Sequence, residues 1–283
     1  MAMTNARKCF SASMLSLFIA GAGNLLYWPA LAQTIDEAKT NGVTIAIAND
    51  PPLMTMNADG SPGGLGPEMD AAILAEAGIT KYSAQVMEYG AMIPALQSKR
   101  ATLSTSGALY IKPERCEAVL FSDPVSCNAE VLIVPATLAD KLKTYKDIAE
   151  QGLKIGVCGG CYEQKLALAA GVTEDKIVVF PDATSGIKLL TDKRIDVYAH
   201  DSYTGAAMFK RLDPKEMRFV RLDDLKSCAA AGFNKDSSAL RDAYNDGLRK
   251  IRANGKYIEI LKKYNFDEGA HVENVTTEKL CAE

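Results

Sequence analysis

Short runs of β-branched and other apolar residues alternate along this chain with stretches whose apolar positions recur every three or four residues. Residues 43–48 (Val-Thr-Ile-Ala-Ile-Ala) are short, uncharged and rich in β-branched side chains, which predicts a buried strand. Asn49-Asp50-Pro51-Pro52-Leu53 ends it, and residues 57–66 read as a loop punctuated by Asp59-Gly60 and Gly63-Gly64. A helix is predicted from Pro67 to Ala77, stopped by Gly78, with Met69, Ala72, Ile73 and Ala77 on one face. Residues 82–87 alternate as a strand with Glu88-Tyr89-Gly90 as its exit, 92–99 form a short helix, and 101–106 form a third strand. Strand–helix–strand–helix–strand is the pattern of a mostly parallel sheet covered by helices, and ligands of such sheets sit outside the carboxyl ends of the strands. The exits at Asp50–Leu53, Glu88–Tyr89 and Gly107–Tyr110 should therefore converge on one crevice.

The pattern then restarts. After a strand at 130–134, helices are predicted at 145–150, 162–170, 185–192 and 203–210, with strands at 154–157, 176–180, 195–199 and 219–222 between or after them. The apolar stretch 228–233 returns toward the first half, and amphipathic helices at 240–253 and 256–264 close the chain. The expected fold class is α/β, in two lobes. Lobe 1 is discontinuous, residues 33–133 with 225–283, and lobe 2 is 134–224. Two chain crossings make this a hinged cleft, a form that closes about ligands.

Residues 1–32 read as an export signal: Arg7 and Lys8, an uncharged apolar stretch over 9–26, and Ala30-Leu31-Ala32 as a cleavage sequence. The protein is expected in the periplasm, cut after Ala32, soluble and monomeric. No later stretch is long and apolar enough to span a bilayer. The whole chain carries a formal charge of −3, and loss of the signal takes it to −5, which argues against nucleic acid or an anionic membrane as partner. Six cysteines follow the signal: Cys116, Cys127, Cys158, Cys161, Cys228 and Cys281. An even number in an exported chain reads as disulfides, with 15 pairings open in principle. Proximity in sequence favours Cys116 with Cys127; Cys228 with Cys281 would tie down the tail, leaving Cys158 with Cys161. Strand, C-x-x-C and helix is also the arrangement of a redox pair. Only two histidines, His200 and His271, are present, at no spacing suited to zinc, and no metal or cofactor is expected.

The candidate chemistry begins at Gly107-Ala108-Leu109-Tyr110-Ile111-Lys112-Pro113-Glu114-Arg115. A small-residue turn frees backbone N–H groups, Pro113 suits the first turn of a helix, and Arg115 presents a fork of donors that matches a carboxylate. The bland reading is a strand–turn–helix junction with a surface arginine. With Tyr145-Lys146-Asp147-Ile148 before Lys154-Ile155-Gly156-Val157, Asp196-Val197-Tyr198-Ala199-His200-Asp201, and Asn254-Gly255-Lys256-Tyr257, this stretch gives the chain a resemblance to the periplasmic substrate-binding proteins of polar amino-acid ABC importers, solute-binding protein family 3. The likeness covers essentially all of the chain after the signal. Glu88-Tyr89-Gly90-Ala91-Met92-Ile93-Pro94 and Lys279-Leu280-Cys281 look most like the ectoine- and hydroxyectoine-binding members.

The resemblance implies a small zwitterionic ligand and membrane permease subunits as partners. It implies that Arg115 pairs with the ligand carboxylate, helped by backbone N–H groups where Cys161 and Tyr162 open a helix. Ala108 would line the turn, Tyr110 and Tyr89 would wall the pocket, and Asp201 would hold an α-ammonium. Asp50 and Leu53 stand where the ectoine binders have Glu and Phe, and those binders lack an aspartate at the place of Asp201. An α-amino acid is thus expected before an ectoine. Simpler roles remain open: Asp201 as a helix N-cap, Asp50 as a turn former, the tyrosines as core residues. Two other classes remain as well. One is a dehydratase of cyclohexadienyl acids on the same fold, with Glu88 or Asp50 as general acid. The other is a partner protein that has lost its ligand.

Overall fold

The computed structural model describes residues 33–272 and 275–282; the export signal expected at 1–32 lies outside them. Val43–Ile47 lies between Tyr82–Val86 and Leu103–Ser104, parallel to both. The strands Gly232–Phe233 and Leu120–Phe121 complete a five-stranded sheet. Both faces of Val43–Ile47 are covered, which is why its apolar residues run without alternation. Tyr82–Val86 is an edge strand, with Tyr82 and Val86 exposed. The helices Leu65–Glu76 and Ser238–Ala253 pack against each other and, with Lys256–Lys263, cover the sheet around Ile45, Met69, Leu74, Phe233, Tyr244 and Leu248.

The second sheet has six strands in the order Ile177–Phe180, Ile155–Cys158, Val197–Asp201, Ser126–Pro135, Met217–Ala230 and Leu109–Tyr110. The first three are parallel and the last three run antiparallel to their neighbours. One apolar cluster around Leu132, Ile148, Val157 and Val197 covers one face, and another around Ile133, Phe180, Leu190 and Tyr198 covers the other. Beyond the short strand Leu109–Tyr110, the chain leaves the five-stranded sheet along Ser126–Pro135 and returns to it along Met217–Ala230, and these two strands pair with each other. This is the expected two-lobed α/β architecture.

Several expectations need correction. The helix expected at 92–99 is Tyr89–Gln97, so Tyr89 is its first residue instead of part of an exit loop, and Pro94 lies inside it. The third strand is only Leu103–Ser104; residues 105–108 leave the sheet before Leu109–Tyr110 joins the other one. The loop at 57–66 contains a small hairpin pairing Thr55–Met56 with Pro62–Gly63. Two of the three expected disulfides are wrong. Cys127 is bonded to Cys228 and Cys116 to Cys281; only Cys158–Cys161 pairs as expected. The register of the two crossing strands sets Cys127 directly opposite Cys228, which sequence distance cannot show. The tail is tied down, but to the Pro113–Ala118 helix through Cys116. Among the described residues, no helix is long and apolar enough to cross a membrane.

Candidate functional site

The exits of the two sheets meet in a pocket lined by Leu53, Tyr89, Gly107, Ala108, Tyr110 and Arg115 on one side. Cys161, Tyr162, Glu163, His200 and Asp201 line the other. The space between atoms, part of it open to solvent, is about 330 Å³, and the two walls lie close together. Direct bonds across the cleft agree. Gly90 N–H donates to Gly159 O (3.2 Å). Arg115 Nη2 donates to Gly160 O (3.2 Å), and Lys165 pairs with Glu114. The Lys112 ammonium lies 4.0 Å from the centre of the Tyr162 ring, and Tyr110 meets that ring edge-on at 6.2 Å.

Eight of the nine expected site residues border this pocket: Leu53, Tyr89, Ala108, Tyr110, Arg115, Cys161, Tyr162 and Asp201. The ninth, Asp50, lies behind the wall, where Tyr89 Oη donates to its Oδ2 (2.9 Å). Arg115 is buried early in the Pro113–Ala118 helix, which Pro113 opens, and its Nη1 donates to Tyr110 O (3.2 Å). Burial lowers its pKa, opposed first by the charge of Glu163, but a guanidinium stays protonated regardless. Across the pocket, Cys161 is the N-cap of the Tyr162–Ala169 helix, and no side chain caps that end. Cys161 N–H donates to Cys158 O and Glu163 N–H to its own carboxylate, which leaves the Tyr162 N–H and the positive end of the helix dipole available to an anion.

Asp201 is the N-cap of the Ser202–Phe209 helix. Its Oδ1 accepts from Tyr203 N, Thr204 N and Asn128 Nδ2, and its Oδ2 lies 2.7 Å from His200 Nδ1. The simpler reading of this residue is thus fully realised: a capped helix and a histidine partner occupy most of its acceptor capacity. His200 Nε2 faces Asp50 Oδ1 at 3.7 Å. Burial works against the imidazolium, but the Asp50 charge and the Asp201 hydrogen bond outweigh it and push His200 up to about 10. In return burial raises Asp50 to about 6 against the pull of His200. Burial also opposes the charge on Asp201, yet the His200 hydrogen bond and charge hold Asp201 below the usual carboxylate range. A cation is therefore already built into the floor of the pocket.

His200 and Glu163 were not expected to face the pocket. His200 is legible only as the residue before Asp201, and Glu163 only as the second position of a helix. Glu130, fully buried on the Ser126–Pro135 strand, has neither carboxylate oxygen hydrogen-bonded. Burial, then the charge of Glu163, raises its pKa well above the usual carboxylate range. Glu88, offered as a general acid, borders a neighbouring pocket with Cys158 and Val179 instead of this one.

This chain is 30% identical over 282 residues to a probable amino-acid ABC transporter periplasmic-binding protein of Sinorhizobium fredii, covering 96% of this chain and 91% of that protein. Its fold matches the crystal structure of EhuB in complex with hydroxyectoine with a TM-score of 0.82 and 39% identity, over 88% of this chain and 98% of that one. An ancestral arginine-binding protein bound to arginine matches with a TM-score of 0.68 and 25% identity, over 78% and 97%. Residues 43–268 match the bacterial extracellular solute-binding proteins, family 3, and the chain belongs to that family.

Proposed function

We propose that this protein binds a small zwitterion between its lobes and delivers it to the membrane permease of an ABC importer, without chemical conversion. The observation that carries this is the placing of Arg115 opposite an uncapped helix N-terminus across one pocket walled by Tyr89, Tyr110 and Tyr162. A carboxylate fits between the guanidinium fork and the helix end. The tyrosine faces suit a compact cation whose charge is spread over a ring or a substituted nitrogen. Leu53 supplies an aliphatic patch on the remaining wall. We place the mature protein in the periplasm, cut after Ala32, on the sequence signal and the names of its relatives.

A thermal-shift screen with amino acids, ectoines and betaines tests this reading. A ligand bound only by the native state at about 100 times its Kd adds about 2.7 kcal/mol of stability, so a hit should raise the Tm by several degrees. Arg115→Ala should abolish that shift. A shift that survives Arg115→Ala would move the carboxylate site elsewhere, and no shift across the whole panel would sink the proposal.

A further inference from the structure

Two carboxylates border the pocket, Asp201 and Glu163, and the acceptor capacity of Asp201 is already largely filled. Three donors converge on Asp201 Oδ1 and His200 sits on its Oδ2. Glu163 is 3% exposed, and it takes part in none of the ion pairs around the pocket, which are Lys165–Glu114, His200–Asp50 and His200–Asp201. We infer that Glu163 is the specificity-determining acceptor for the ligand's positive group, while Asp201 holds the His200 and helix framework around it. This rests on the zwitterion reading above and assigns its cationic end.

Charge placement points the same way. Arg115 from one lobe and Glu163 from the other line the same pocket without bonding to each other, and Glu163 is the strongest carboxylate influence on the Arg115 guanidinium. A zwitterion laid between them satisfies both at once. A carboxylate this deeply buried is costly unless paired, and an arriving cation supplies the pair. Glu130 lies close by: its carboxyl is buried, and burial, then the charge of Glu163, raises its pKa well above the usual carboxylate range. The competing structural role is that of an acid in the first turn of a helix, bonded to its own backbone N–H and favoured by the dipole. That role predicts a loss of stability on substitution but no change in ligand discrimination.

Titration calorimetry separates the two. Arginine, histidine and hydroxyectoine are measured against wild type, Glu163→Gln and Asp201→Asn. Each amino acid is paired with its 2-hydroxy acid, which keeps the carboxylate and loses the ammonium, and hydroxyectoine is paired with cyclohexanecarboxylate. Wild type should prefer the zwitterion of at least one pair strongly. Glu163→Gln should weaken that zwitterion by about thirtyfold or more, as expected for loss of one partner of a buried charge pair, and should bring the preference within about threefold. Glu163→Asp, which keeps the charge on a shorter stem, should retain the preference at lower affinity. It gives the same reading if Glu163→Gln does not fold. An undiminished preference in Glu163→Gln, or a preference lost in Glu163→Asp, overturns the inference while leaving the zwitterion site standing. So does a preference lost only in Asp201→Asn. Failure of wild type to bind any probe here or any member of the thermal-shift panel overturns the zwitterion reading itself, and the inference falls with it.

Discussion

Asp70 shows how a buried acid is tolerated in this protein outside the pocket. It lies in the Leu65–Glu76 helix, fully buried, and accepts from Ser106 N–H (3.0 Å), from the Thr105 hydroxyl and from Tyr244 Oη (2.6 Å). Burial outweighs these bonds and raises it to about 6 from an ordinary 3.8. Because the folded pKa is the higher one, Asp70's contribution to stability is fully present below about pH 4 and is lost as pH rises through 6. Above that the carboxylate is charged in the core and depends on its donors. Tyr244→Phe removes one donor, and should cost about 1.5–3 kcal/mol at pH 8 and about half that at pH 4.5, where the acid is neutral. Urea unfolding at both pH values checks this; equal losses would mean that Asp70 is not ionised in the fold at pH 8. At this scale the sequence was informative where chemistry follows from residue type at a turn. Arg115 behind Pro113, and Tyr110 five residues before it, could be read from the Gly107–Arg115 stretch. Glu163 could not, because an acid in the first turn of a helix is ordinary and only the fold of the other lobe shows what it faces.

Among the elements, the glycine loop before the Tyr162–Ala169 helix is the one on which closure turns. Gly160 has φ +79°, a conformation costly for other residues, and a Cβ there would lie 2.6 Å from Gly90 Cα across the cleft. Gly60, at φ +81°, has nothing within 4 Å of a built Cβ. Both Gly160→Ala and Gly60→Ala should lose about 1–2 kcal/mol to backbone strain. Only Gly160→Ala should also weaken ligand binding, by about tenfold or more, because the added methyl group holds the lobes apart. Calorimetric titration with the hit from the thermal screen measures it, and equal affinities in the two variants would show that the Gly90–Gly159 contact is not part of the bound state. Helices with caps or Gly stops were legible within two or three residues, as at Tyr145–Glu150, where Thr144 and Asp147 form a capping box. Short strands such as Leu103–Ser104 were not, because their length is set by the sheet neighbour and leaves no periodic trace.

On the scale of the whole molecule, the two crossing strands carry the connection between the lobes. Their pairing is continuous from Met217 to Leu222 against Pro135 to Glu130, then shifts register before Lys226 opposite Ala129. On one side of that bulge the strands pair with Val197–Asp201; on the other they pair with Leu109–Tyr110. We place the pivot of closure at this bulge, since a ladder interrupted by unpaired residues bends there most easily. Cys127–Cys228 lies on the Tyr110 side of it, joining residues already held in register, and closes a loop of sequence separation 101. The bond should therefore stabilise the fold through the unfolded chain without steering closure. Cys127→Ala with Cys228→Ala is expected to cost about 2–4 kcal/mol, lowering the Tm by about 5–15 °C, while leaving the ligand Kd within about threefold. Scanning calorimetry and titration on the same preparation decide it. A Kd weakened more than tenfold with the Tm nearly unchanged would put the disulfide inside the moving part of the hinge, and would move the pivot from the Leu222–Lys226 bulge to the Cys127–Cys228 rung itself.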